Sequence, residues 1–107
     1  MEIKELIKAF QIILKDYEKA YKEDYSFALL ESKHLQWGIC WALTEKFNED
    51  YYDVLDRYYK YIFTYKGGYL CPMPISGRDI NILKRINFLK EEIKDLKRLL
   101  KEGYTEV

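Results

Sequence analysis

At 107 residues the chain has the size of one domain, and 49% hydrophobic with 17% aromatic residues supply one core, which excludes intrinsic disorder. Eighteen bases balance eighteen acids, so no net field holds a phosphate backbone against salt and general nucleic-acid binding is excluded. The opening MEIKELIKAF mixes acids and bases, unlike a signal peptide, and no run approaches the roughly eighteen apolar residues that span a bilayer. No membrane contact is expected.

Ile3, Ile7, Phe10, Leu14, Tyr17 and Tyr21 recur at alternating four- and three-residue steps, widened by Leu6 and Ile13, with lysines and acids opposite. This predicts a first helix over about residues 2–22. The polar break KEDYS leads to a second helix from Phe27 to Phe47, whose centre WGICWAL is apolar on all sides and is therefore expected between other helices. Gly38 within it costs about 1 kcal/mol relative to alanine, which a close backbone approach would offset.

Asn48 or Asp50 caps a third helix carrying Tyr51, Val54, Leu55, Tyr58, Tyr59, Ile62 and Phe63, and Gly67 with Gly68 ends it. A rival reading folds YIFTYKGGYLC into a β-hairpin about the glycine pair. Pro72 and Pro74 then stiffen an extended stretch. Ser76 is the expected cap of a long C-terminal helix, with Asp79 completing a capping box and Ile75 and Ile80 placed as a hydrophobic staple. Beyond it Ile82, Ile86, Leu89, Ile93, Leu96 and Leu100 form a coiled-coil-like stripe. Either a second copy in a parallel homodimer or the similarly spaced first helix of the same chain can cover that stripe. The expected fold is all-α: one domain over residues 1–107, a compact bundle of about four helices with a Gly/Pro loop at 66–75 before the last.

Cys40 and Cys71 lack a CxxC neighbour and His34 is the sole histidine, so no metal, cofactor or disulfide is expected, and no nucleophile motif suggests an enzyme. The residues best suited to a ligand are aromatic and basic. Trp37 and Trp41, with Tyr69 on the loop, offer rings on which a base could stack, and Lys33 and His34 lie beside them. At the start of the last helix the N–H groups of Gly77 and Arg78 suit an anion, and Arg78 and Arg85 could add forked contacts. Core tryptophans and a purely structural cap are the competing explanations.

GICWAL, GYLCPMP and RINFLKEEI together resemble a pattern of small uncharacterised proteins of tailed phages and prophages, over about residues 35–95. A bias of fourteen lysines to four arginines agrees with such a source. The resemblance implies a non-enzymatic accessory protein of the host cytosol that acts against host defence. The first expectation is a homo-oligomeric sponge that sequesters a small phosphorylated, nucleotide-like immune signal between the aromatics of the second helix and the start of the last. The alternatives are an inhibitor that covers a host defence protein through the tyrosine-rich third helix, and a minor virion or packaging component assembled through the last helix.

Overall fold

The structure, a computed structural model, describes residues 2–36, 38–59 and 73–107. Among them the regular elements are all helices: α1 (Ile3–Lys22), α2 (Phe27–Ser32), α3 (Ile39–Phe47), α4 (Tyr51–Tyr59) and α5 (Ile80–Lys101). The hairpin alternative falls on residues outside this set.

The two long helices form the frame. Ile3 N–H donates to Thr105 O at 2.9 Å and Glu2 pairs with Glu106 at one end, while Arg78 meets the last turn of α1 at the other, so α1 and α5 run antiparallel. Ile3, Leu6, Phe10, Ile13 and Tyr17 of α1 close on Ile82, Ile86, Leu89, Ile93 and Leu96 of α5, all buried. Each such side chain contributes about 1.5–3 kcal/mol by leaving water. The stripe that suggested a homodimer is therefore consumed within one chain. Its charges are likewise used internally: Arg85 and Glu92 are buried, and Lys90 sits 3.9 Å from Glu18 of α1.

The expected second helix is two helices. Ser26 caps α2 by accepting from Leu29 N–H at 3.2 Å, and after Lys33 the backbone of His34 turns left-handed at φ 57°. His34 N–H then donates to Glu31 O and Leu35 N–H to Leu30 O, with Leu30 and Leu35 both buried. This is a Schellman closure. Gly38, far from sitting inside a helix, is the N-cap of α3 at φ 106° and ψ −175°, a conformation that side-chain-bearing residues avoid. The apolar run continued through the break because the connecting loop is itself buried at Leu35 and Gln36.

The same closure ends α1 at Asp24 (φ 48°), α3 at Asn48 (φ 50°) and α5 at Gly103 (φ 101°). Only one of the four left-handed positions is glycine. Asp50, not Asn48, caps α4, its carboxylate accepting from Tyr52 N–H at 2.9 Å.

The start of α5 also differs from expectation. Asp79 is the cap: one carboxylate oxygen accepts from Asn81 N–H at 2.9 Å and the other from Ile75 N–H at 3.0 Å. Those two backbone donors hold its pKa below the usual carboxylate value. Ser76 instead offers its carbonyl to Asp79 N–H, and Ile75 and Ile80, at 68% and 63% exposure, stand in solvent and form no buried staple.

Candidate functional site

The loop before α5 is a clasp on α1. Gly77 N–H donates to Tyr25 O at 2.8 Å, and Arg78 N–H to the Asp24 carboxylate at 3.2 Å. The Arg78 guanidinium donates through Nε to Tyr21 O at 2.6 Å and through Nη2 to Lys22 O at 3.3 Å, with its carbon 4.9 Å from the Tyr21 ring centre. The last carbonyls of a helix lack intrahelical donors and carry the negative end of its dipole, so a guanidinium belongs there. The two N–H groups expected to face an anion are both occupied. Arg78→Ala should accordingly lower stability by about 1–2 kcal/mol, read as a fall in thermal midpoint.

Arg85 is fully buried and directed the other way. Its guanidinium donates to Leu35 O, to Gln36 O at 3.2 Å and to the Tyr17 hydroxyl at 3.3 Å, while Tyr17 in turn donates to Leu35 O at 3.0 Å. It satisfies the carbonyls freed where the helix breaks between α2 and α3. Both arginines expected at a ligand are engaged with backbone carbonyls, Arg78 at the surface against the end of α1 and Arg85 buried beneath the loop between α2 and α3.

What does assemble is aromatic. The left-handed turn at His34 brings its ring over Trp41, with centroids 5.7 Å apart and planes 25° from parallel. Trp41, from the first turn of α3, also meets Tyr51 of α4 at 4.5 Å, and Tyr51 meets Tyr52 edge-on at 5.4 Å. The ladder surfaces at Trp41 (36% exposed) and Tyr52 (74% exposed). Beneath it lies Cys40, a buried free thiol whose pKa burial pushes up to about 11 against the lowering effect of its hydrogen bond with Tyr51. Such a thiol is not a nucleophile at neutral pH. Lys33 is exposed next to His34; Trp37, Tyr69 and Cys71 lie outside the described residues.

The electrostatic setting of this face is acidic. Between residues 31 and 57 six acids stand against three bases, and two of the bases are engaged, Lys46 with Asp16 of α1 at 3.0 Å and Arg57 with Glu49 at 2.9 Å. Glu45 follows Trp41, and Asp56 follows Tyr52, by one helical turn, and both acids are exposed.

Among the described residues, clefts lie elsewhere. One of about 260 Å³ is lined by Glu2, Lys4, Leu100, Thr105 and Glu106, another by Glu18, Lys19, Lys22 and Glu23 on α1. Neither includes His34, Trp41, Arg78 or Arg85. Among the described residues no group of three or more His, Cys, Asp or Glu side chains could hold a metal ion, and no helix is long and apolar enough to cross a membrane.

Tyr52 and its neighbouring carboxylates escaped the sequence reading of the site, though the helical step from Tyr52 to Asp56 was visible. The roles of Tyr17, Asp24 and Asp79 were not signalled, since each depends on a segment distant in the chain or on a helix start displaced by three or four residues.

No protein-family model, curated protein or solved structure matches this chain.

Proposed function

We propose that this chain is a non-enzymatic binding protein whose target is another protein, engaged through the aromatic face of α3 and α4. The observation that carries the reading is the run of ring contacts through His34, Trp41, Tyr51 and Tyr52, which reaches the surface at Tyr52 with 74% exposure. Trp and Tyr dominate interface hot spots because they bury much area while losing little rotamer freedom. His34 adds weight. It occupies a left-handed position that glycine would adopt with less strain, and its ring is what that backbone aims at Trp41.

The nucleotide-sponge reading has less support. Its phosphate contacts, Gly77 N–H, Arg78 N–H and both guanidinium groups, are engaged within the fold, and the Trp41 indole already stacks on two rings. Assembly as a virion component loses its warrant with the buried stripe of α5. The phage-type resemblance supplies the proposed setting: an accessory factor in the host cytosol that occupies the surface of a defence protein.

A photo-crosslinking residue placed at Tyr52 should give a discrete protein adduct in bacterial cells, while the same residue at the exposed Lys94 of α5 should not. Native mass spectrometry of the purified chain should show no bound nucleotide. A nucleotide that co-purifies and is lost with Trp41→Ala, or adducts no different between positions 52 and 94, would overturn the reading.

A further inference from the structure

The charge pattern around the aromatic face defines the chemistry of what docks on it, given that this face is the binding surface. Trp41 and Tyr52 are the two rings of the ladder exposed above a third of their area, and each has an exposed carboxylate one turn downstream, Glu45 and Asp56. On a helix such neighbours lie about 5–6 Å apart at Cβ. Neither Glu45 nor Asp56 has an ion-pair partner among the described residues, whereas the nearby Glu49 is engaged by Arg57. Asp53, exposed on the next residue after Tyr52, adds a third carboxylate.

We infer that the partner's docking segment is cationic, with an arginine or lysine side chain laid across the open face of Tyr52 and received by Asp56, and a second basic side chain received by Glu45 beside the exposed rim of Trp41. The flat electron-rich face of a phenol attracts a cation, and a carboxylate beside it supplies charge-assisted hydrogen bonds to the same group. Two such pairings side by side suit a segment with more than one basic residue. The same carboxylates repel phosphate, so the arrangement selects against a nucleotide. Arginine fits better than lysine because its planar guanidinium stacks on a ring while its edge donates to a carboxylate.

The test pans a random-peptide library against the immobilised full chain, then measures the selected peptides by titration with three variants whose helical circular dichroism matches the parent. Peptides enriched in arginine and lysine are expected. Their affinity should fall about tenfold or more in Glu45→Gln/Asp56→Asn and further in Glu45→Lys/Asp56→Lys, since each contact is of the charge-assisted kind. It should also fall with added salt. Selection of uncharged or acidic peptides, or affinities indifferent to both double variants, overturns the inference. If such peptides nevertheless lose binding with Tyr52→Ala, the aromatic face remains the binding surface and only the cationic partner is wrong. If nothing selected responds to Tyr52→Ala, both fall together.

Discussion

Alanine at Gly77 should cost about 3 kcal/mol or more of folding stability and lower the thermal midpoint by roughly 10 °C or more. A Cβ at this position would overlap the Ala20 carbonyl oxygen and the Tyr25 amide nitrogen, both backbone atoms held by the closure of α1 and unable to swing aside as a side chain could. Relief requires the loop to lift from α1, which breaks the bond from Gly77 N–H to Tyr25 O and withdraws Arg78 from the helix end. Thermal melts of Gly77→Ala and Ser76→Ala together decide the matter. The serine, whose side chain caps nothing here, should be nearly silent, and a loss below about 1 kcal/mol for the alanine at 77 would mean that the loop does not dock as described.

Arg85→Met should be comparably damaging, about 3–5 kcal/mol by urea denaturation, although methionine retains most of the stem's bulk. The guanidinium is the donor to Gln36 O and shares Leu35 O with Tyr17, all out of reach of water. Removing it takes the donor from Gln36 O and one of two from Leu35 O, and ends the bond to the Tyr17 hydroxyl; a buried unmet acceptor costs about 1–3 kcal/mol. Lysine would not restore the network, since a point charge cannot serve two carbonyls and a hydroxyl in the geometry of a planar fork. Burying a charge carries its own desolvation penalty, and that penalty can offset the bonds formed. A methionine variant as stable as the parent would show that the two balance, and that Arg85 selects the path of the loop between α2 and α3 without stabilising it.

The long helices were legible from the sequence because their apolar residues repeat over five or six turns, enough for one face to stand out. The break in the expected second helix was not. Helix ends advertise themselves by glycine, and here the left-handed positions closing α1, α2 and α3 hold Asp24, His34 and Asn48. Aspartate, asparagine and histidine tolerate that conformation better than other side chains but are common elsewhere, so their presence signals little. The buried loop then hid the gap, since hydrophobicity reports burial and not direction. His34 and Trp41 were grouped on the assumption of one continuous helix; they do meet, through a reversal of the chain. The arginines were misjudged for a chemical reason: a guanidinium donates as readily to a carbonyl at the end of a helix as to a phosphate, and sequence does not distinguish the two acceptors.

The antiparallel pairing of α1 with α5 has a consequence for biosynthesis. α1 is made before its main partner α5, so the part of its apolar face that packs on α5 lacks that cover until residues 80–101 have been added. At roughly 5–20 residues per second this interval lasts several seconds, long beside the microseconds in which a helix forms. During that interval Ile3, Leu6, Phe10 and Ile13 of the nascent chain offer an apolar face to a chaperone or to a neighbouring nascent chain. The clasp at Gly77 and Arg78 lies immediately before α5 in the chain and grips the C-terminal end of α1, so the contact that sets the angle of α5 on α1 is encoded next to the helix it aims.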